Sequence, residues 1–210
     1  MNRLLIVGAG NFGREVMDWA LAVPPEKRDW ELEGFLDNRA DVVESLDAPY
    51  PVLGDPDTFE FTERHRFICA LGESAARLEY GRRLRARGAR FITLIHPTAT
   101  IGSNCSWGVG CIFCPGTVMT NHVTLGDFVL LNCYATVGHD AVLGDGCTLS
   151  GHAVVNGWAV LGEGVFMGTH ASVLPKAHVG DHALIGAGSV VIKKALPRTT
   201  VMGVPARKIL

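Results

Sequence analysis

Residues 131–154, cut into sixes, read LNCYAT VGHDAV LGDGCT LSGHAV. Each six opens on a large aliphatic residue (Leu131, Val137, Leu143, Leu149) and places a small one fifth (Ala135, Ala141, Cys147, Ala153). Carried outward in the same register from Ile95 to Leu196, the pattern holds for all 17 hexads. Every first position is apolar, and the fifth positions are nine Ala, three Cys, three Val, one Thr and one Ser. In a chain that is 48% hydrophobic, one register would give 17 apolar first positions by chance roughly four times in a million, so the period is a structural signal. A large and a small residue recurring in sixes predict one flat β-edge and one tight corner per hexad. Three hexads then close a triangular coil of about 18 residues, which is a parallel β-helix with the aliphatic side chains filling the prism. The second-position glycines, among them Gly102, Gly126, Gly138, Gly144, Gly162, Gly168, Gly180 and Gly186, read as bends needing unusual backbone angles.

Residues 1–94 lack this period. LLIVGAG reads as a strand and glycine turn, NFGREVMDWALAV as a helix, WELEGFLDN and RFICALGE as strands, SAARLEYGRRLRARG as a basic helix, and ARFITLI as a strand leading into the prism. Pro49 to Phe61, rich in Pro and Asp, reads as a surface connection. The expectation is an α/β, Rossmann-like βαβ domain over residues 1–94, followed over 95–210 by an all-β parallel β-helix with a C-terminal extension.

Gly8, Gly10 and Gly13 form GxGxxG between a strand and a helix, the context in which backbone amides and a helix N-terminus meet a phosphate. Asn11 and Phe12 lie inside that turn. Asp37, followed by Asn38, ends the second strand, where a carboxylate accepts from ribose hydroxyls or a base edge. Gly72 and Glu73 end the third strand, and Arg77 stands one turn into the next helix, within reach of a phosphate. A domain this small suits a mononucleotide or nucleotide-sugar better than a dinucleotide. The alternative is that the glycines only pack strand against helix.

The chain carries 19 basic and 21 acidic residues, a balance that gives no electrostatic footprint for nucleic acid or a membrane surface. The opening apolar run is too short for a membrane span or a signal peptide, so a cytoplasmic protein is expected. The six cysteines lack paired metal spacing and read as reduced, small core residues. No two of the eight histidines are five apart, so no metal site is expected. The 18-residue coil places His122 and His139 on one corner with Gly157, Trp158, Pro175 and Lys176. His152 and His170 fall on another corner with Tyr134, and His182 on the third. Outward corner residues are by default solvated turns, and spacing alone leaves His139 and His122 equal.

The combination of GAGNFG, FLDN, CALGESAAR, the 17 hexads, LNCYATVGHD, SGHAVVNG and the closing GVPARKI resembles the bacterial left-handed β-helix sugar acetyltransferases. Within them it is most similar to the sialic acid O-acetyltransferases and the bacillosamine-type N-acetyltransferases of nucleotide-linked 4-amino-4,6-dideoxy sugars. The resemblance implies the handedness, acetyl-CoA as co-substrate, a nucleotide-sugar acceptor and a homotrimer with sites between prisms. It implies His139 as the catalytic base, Asp140 as its acidic neighbour where relatives commonly carry Glu, Asn132 as an acceptor-positioning residue, and Gly157 as an amide donor to the thioester carbonyl. It places Gly8, Gly10, Asp37, Gly72 and Arg77 in the nucleotide-binding segments. Phe12 and Thr148 stand where several relatives carry histidine. Thr169 and Ala187 are expected to flank the pantetheine, and Lys193, Lys194 and Arg207, with Arg198 and Lys208 nearby, to meet the CoA phosphates. Sugar O-acetylation and a non-catalytic β-helix binding module are the alternative functions.

Overall fold

The computed structural model describes residues 1–39 and 49–210. Its N-terminal part runs β1 (Asn2–Val7), α1 (Asn11–Ala22), β2 (Trp30–Leu36), β3 (Val52–Gly54), β4 (His65–Cys69) and α2 (Ser74–Ala86). The strands form a parallel sheet in the order β3-β2-β1-β4. The unbroken LLIV run of β1 follows from burial on both faces. Leu4 and Ile6 pack with Val16, Met17 and Ala20 of α1, whereas Leu5 and Val7 pack on the opposite face with Phe67 and Leu84. Two sequence expectations are corrected. The stretch Pro49 to Phe61 is more than a connection, because its Val52–Gly54 pairs with β2 as an edge strand. In ARFITLI only Leu94–Ile95 is a strand, with Phe91 forming an isolated bridge to Phe67.

From Leu94 onward the chain is a β-helix with three parallel faces. The first stacks Leu94–Ile95, Ile112–Phe113, Leu130–Leu131, Thr148–Leu149, Phe166–Met167, Leu184–Ile185 and Thr200–Met202. The other two follow the same register, shown by pairs such as Val137↔Val155 and Leu143↔Leu161. Up to Val191 the second residue of each two-residue strand is the first residue of a hexad and points inward, whereas the last face ends on Lys194–Ala195, whose Ala195 is a fifth position, and the C-terminal Arg207–Lys208 pairs antiparallel. Leu131, Val137, Leu149, Val155 and Val173 are fully buried, as are Ala135, Ala141, Ala153 and Ala159 at fifth positions. Each buried Leu, Ile or Val contributes about 1.5–3 kcal/mol. Trp107 is the exception among first positions; it is 36% exposed and lies edge-on against Phe113. The period also shortens at the far end. Val179 pairs with Ala195 and Ile185 with Val201, a step of 16 residues instead of 18.

The glycine reading needs revision. Left-handed backbone occurs at the fourth position of the hexads, in residues such as His122, Tyr134, Asp140 and Trp158, with φ between 56° and 65°. The second-position glycines are needed for space. A Cβ on Gly138 would lie 2.7 Å from the Gly157 nitrogen in the next coil. At Gly126 it would strike the Asp145 carboxylate, whose Oδ1 accepts from the Asp127 N–H at 2.9 Å. The same interaction joins Asp127 to the Val109 N–H and Asp181 to the Glu163 N–H. At Gly108, Gly126 and Gly162 the glycine thus admits the next coil's Asp, which caps the third-position amide.

The free oxygens of that Asp/Glu ladder hold α2. Arg85 pairs with Asp127, and Arg82 with Asp145 and Glu163 at 3.0 and 2.6 Å. Beneath them Arg77 is completely buried. Its guanidinium donates to the carbonyls of Phe128, Leu71, Gly146 and Cys147 and, at 2.7 Å, to Thr148 Oγ1. Thr148 Oγ1 also hydrogen-bonds Ser74 at 2.7 Å. Burial pushes the Arg77 pKa below its ordinary value, and the fan of acceptors satisfies the charge without a carboxylate.

Candidate active site

On the corner that follows the second face, His139 occupies a third position and Asp140 the left-handed fourth, φ 58°. That turn brings Asp140 Oδ2 to 2.8 Å from His139 Nδ1. An ionised carboxylate only accepts, so Nδ1 is the donor of this pair, which in the neutral ring leaves the lone pair on Nε2. Gly157, one coil above, lies directly over the ring. A Cβ there would sit 2.6 Å from both Cε1 and Nε2. The Gly157 N–H donates to no acceptor among the described residues. On the next corner the equivalent amides of Val109, Asp127 and Glu163 are closed by an Asp, whereas the residue one coil above Gly157 is Pro175, which has no carboxylate to offer. The His139 ring and an amide with no acceptor among the described residues therefore lie together on one corner. Trp158 joins them, its N–H donating to the His139 carbonyl at 2.9 Å and its indole lying edge-on to the imidazole at 6.2 Å.

A second candidate site lies at the carboxyl ends of β1 and β2. Gly8 has φ 97°, which favours glycine, and Gly13 has no room for a Cβ because the Gly8 carbonyl lies against it. Helix α1 starts on Gly10 with no side-chain cap. A cavity of about 170 Å³ is lined by Gly8, Asp37, Asn38, Arg39, Leu71 and Tyr80. Asp37 is only 8% exposed. Its carboxylate accepts from the Ala9 N–H at 2.9 Å and from the Arg39 N–H, Nε and Nη2 at 3.0, 3.0 and 3.1 Å. Burial alone would raise its pKa. The Arg39 and Ala9 hydrogen bonds outweigh burial and hold it below the ordinary carboxylate value.

Residues 3–84 match the PglD N-terminal domain family, and residues 122–157 match the bacterial transferase hexapeptide family. The chain thus joins a PglD-type N-terminal domain to the hexapeptide repeats of bacterial transferases, and it is an acyltransferase. The acyltransferase is similar over its whole length to the acetyltransferase domain of PglB from Neisseria gonorrhoeae FA1090 in complex with acetyl coenzyme A. Identity there is 29%, coverage 100% of each chain and the TM-score 0.89. It is also similar to PerB from Caulobacter crescentus in complex with CoA and GDP-perosamine, at 26% identity, 99% and 97% coverage and TM-score 0.89. WeeI from Acinetobacter baumannii AYE matches at 26% identity, full coverage of both chains and TM-score 0.83. Among curated proteins no sequence matches significantly. No helix among the described residues is long and apolar enough to cross a membrane.

The remaining expected site residues of the acyltransferase are spread over the molecule. Asn132 lies on the corner after the first face, not beside His139, and its Oδ1 accepts from the Cys133 N–H at 2.7 Å. Thr169 and Ala187 lie on that same corner, higher up, beside a column of stacked rings in which Tyr134, His152 and His170 are spaced 5.0 and 4.8 Å apart. Lys193, Lys194 and Arg207 line a cavity of about 390 Å³ near the C-terminus, while Arg198 and Lys208 are exposed outside its lining. In the glycine turn, Asn11 Oδ1 accepts from Arg14, and Phe12 packs edge-on against Trp19. Gly72 has open space around it.

One expectation is overturned by geometry. Arg77 is out of reach of any phosphate, because its donors are directed to buried carbonyls. Glu73 caps α2, accepting from the Ala75 and Ala76 N–H groups at 3.1 and 2.8 Å. Thr148 is the hydroxyl partner of Arg77 and is buried. Sequence reasoning passed over Arg39, whose only signal was its place two residues beyond Asp37, and gave Trp158 no role.

Proposed function

We propose that the protein transfers the acetyl group of acetyl-CoA to the amine of a nucleotide-linked 4-amino-4,6-dideoxy sugar. The observation that carries this reading is the His139–Asp140 pair beneath the open Gly157 amide. His139 Nε2 takes the amine proton as the nitrogen attacks the thioester carbonyl carbon, and Asp140 stabilises the resulting imidazolium. The Gly157 N–H donates to the oxyanion that develops on the carbonyl oxygen. Collapse of the tetrahedral intermediate breaks the C–S bond, and the proton on His139 passes to the departing thiolate. The nucleotide occupies the cleft of Gly8, Asp37 and Asn38 at the bare N-terminus of α1, where partial positive charge favours its phosphates. Lys193, Lys194 and Arg207 meet the CoA phosphates, and Thr169 and Ala187 flank its pantetheine arm.

The exposed His139 corner needs a second wall to exclude water, and Asn132 stands on a different corner. Both point to a homotrimer in which adjacent prisms complete each site; sedimentation equilibrium tests it. The chemistry is tested by assaying His139→Ala with acetyl-CoA and a panel of UDP-, dTDP- and GDP-linked amino sugars. Turnover is expected to fall at least about 100-fold, with the fold and acetyl-CoA affinity retained. Undiminished turnover would remove His139 from the mechanism.

A further inference from the structure

Three aromatic residues adopt the left-handed fourth position of a hexad, Phe128, Tyr134 and Trp158, with φ of 57°, 59° and 65°. That conformation is unfavourable for a bulky residue, so each needs a compensating contact. Phe128 has one, being fully buried and edge-on to Phe91 at 5.0 Å. Tyr134 has one in its stack on His152. Trp158 covers none of the core. Its side chain is 52% exposed, and its indole N–H finds no acceptor among the described residues. Among the described residues the only ring it meets is the His139 imidazole, at 6.2 Å and 86°. The outward column on this corner runs Asn104, His122, Asp140, Trp158 and Lys176, so Trp158 supplies its one apolar surface. The angle itself is shared by the fourth positions of this solenoid, Lys176 included; what sets Trp158 apart is half-exposed aromatic surface beside the His139 imidazole, where a substrate can meet it.

We infer that Trp158 is the specificity wall of the acceptor site, its indole receiving the methyl carbon that lies next to the reacting amine. The inference rests on the acetyl-transfer reading above. An amine held at His139 Nε2 places the rest of its sugar against the neighbouring surface. There a deoxygenated carbon gains apolar contact, and a hydroxyl would be desolvated against carbon without a partner.

The test compares two acceptors on one nucleotide, a 4-amino-4,6-dideoxy sugar and its 6-hydroxyl counterpart, with wild type, Trp158→Phe and Trp158→Gly. Wild type is expected to favour the methyl acceptor by about tenfold or more in kcat/KM, the range one apolar group commands in a pocket. Trp158→Phe keeps the preference. Trp158→Gly loses it, mainly through a higher KM for the methyl acceptor, yet melts at a higher temperature because glycine accepts the left-handed angle. An unchanged preference in Trp158→Gly overturns the inference while leaving acetyl transfer standing. A lower melting temperature with general loss of turnover assigns Trp158 a structural role and also overturns it. If wild type acetylates neither sugar, the acetyl-transfer reading itself fails and this inference falls with it.

Discussion

Gly157 and His139, 18 residues apart in sequence and one coil apart in space, fit together so closely that a single added methyl group would enter the imidazole. Gly157→Ala therefore pushes the ring off its position while the hexad backbone, whose φ is ordinary here, accepts alanine. Displacements of this size cost about 100-fold in rate. The expected result is a fall of that order in kcat/KM, with the melting temperature within a few degrees of wild type because the imidazole has solvent to swing into. Steady-state kinetics and a thermal melt check both halves.

Arg77 gives the opposite combination. Arg77→Lys replaces a planar fork of five donors with one ammonium, which cannot reach the carbonyls of Phe128, Leu71 and Gly146 together. Leaving buried acceptors unpaired is expected to cost about 3 kcal/mol or more. At temperatures where the variant stays folded, KM for the nucleotide-sugar should be unchanged. A raised KM without loss of stability would return Arg77 to the binding site.

Asp37 links stability to pH. Its folded pKa is depressed below the ordinary 3.8, so its stabilising contribution is complete above that value and disappears as pH falls through the lower folded value. Asp37→Asn is expected to cost about 1.5–3 kcal/mol at pH 7, the worth of hydrogen bonds to a charged group. The gap in melting temperature between variant and wild type should close as the solution is acidified below the ordinary carboxylate range. A gap that persists in acid would mean that the carboxylate charge is not what matters.

Cys133, beside Asn132, is the cysteine whose environment favours the thiolate. A hydrogen bond from the Cys114 thiol outweighs partial burial and brings its pKa from 9.0 to about 7. Burial pushes Cys69, Cys111 and Cys147 up to about 12. Iodoacetamide labelling followed by mass spectrometry should find Cys133 modified well ahead of those three, its rate rising to half-maximum near pH 7. Cys114→Ala should move that midpoint upward. Equal labelling of all four would contradict the assignment.

The β-helix was legible because its determinant is strictly local. Each hexad repeats the same demand for one large inward residue and one small one, and the prism meets it at Leu131, Val137 and Leu143 alike. What escaped were demands set by distant residues. A glycine that needs room for the next coil looks the same in sequence as one that needs an unusual φ, so Gly126 and Gly138 were assigned the wrong reason. Arg77 sits in a helix like many surface arginines, and nothing nearby announces that, apart from the Leu71 and Gly72 carbonyls, its partners lie 51 to 71 residues away. Val52–Gly54 was hidden by its brevity among Pro and Asp. At the candidate site, counting placed His139 beneath Gly157. The role of each came from resemblance, and the Asp140 contact and the open amide came from geometry.

The arginine clamp of α2 has a bearing on how such a chain can change. Arg85, Arg82 and Arg77 take hold of carboxylates, carbonyls and a hydroxyl between Asp127 and Glu163. The amino-terminal part is thereby indexed to particular rungs of the solenoid. One whole rung inserted beyond His182 would leave every clamp partner in place and only lengthen the free end. The same insertion between Phe128 and Asp145 would separate the partners of one helix by an additional strand spacing, about 4.8 Å. The solenoid is thus open to modular growth in one direction and closed to it in the other.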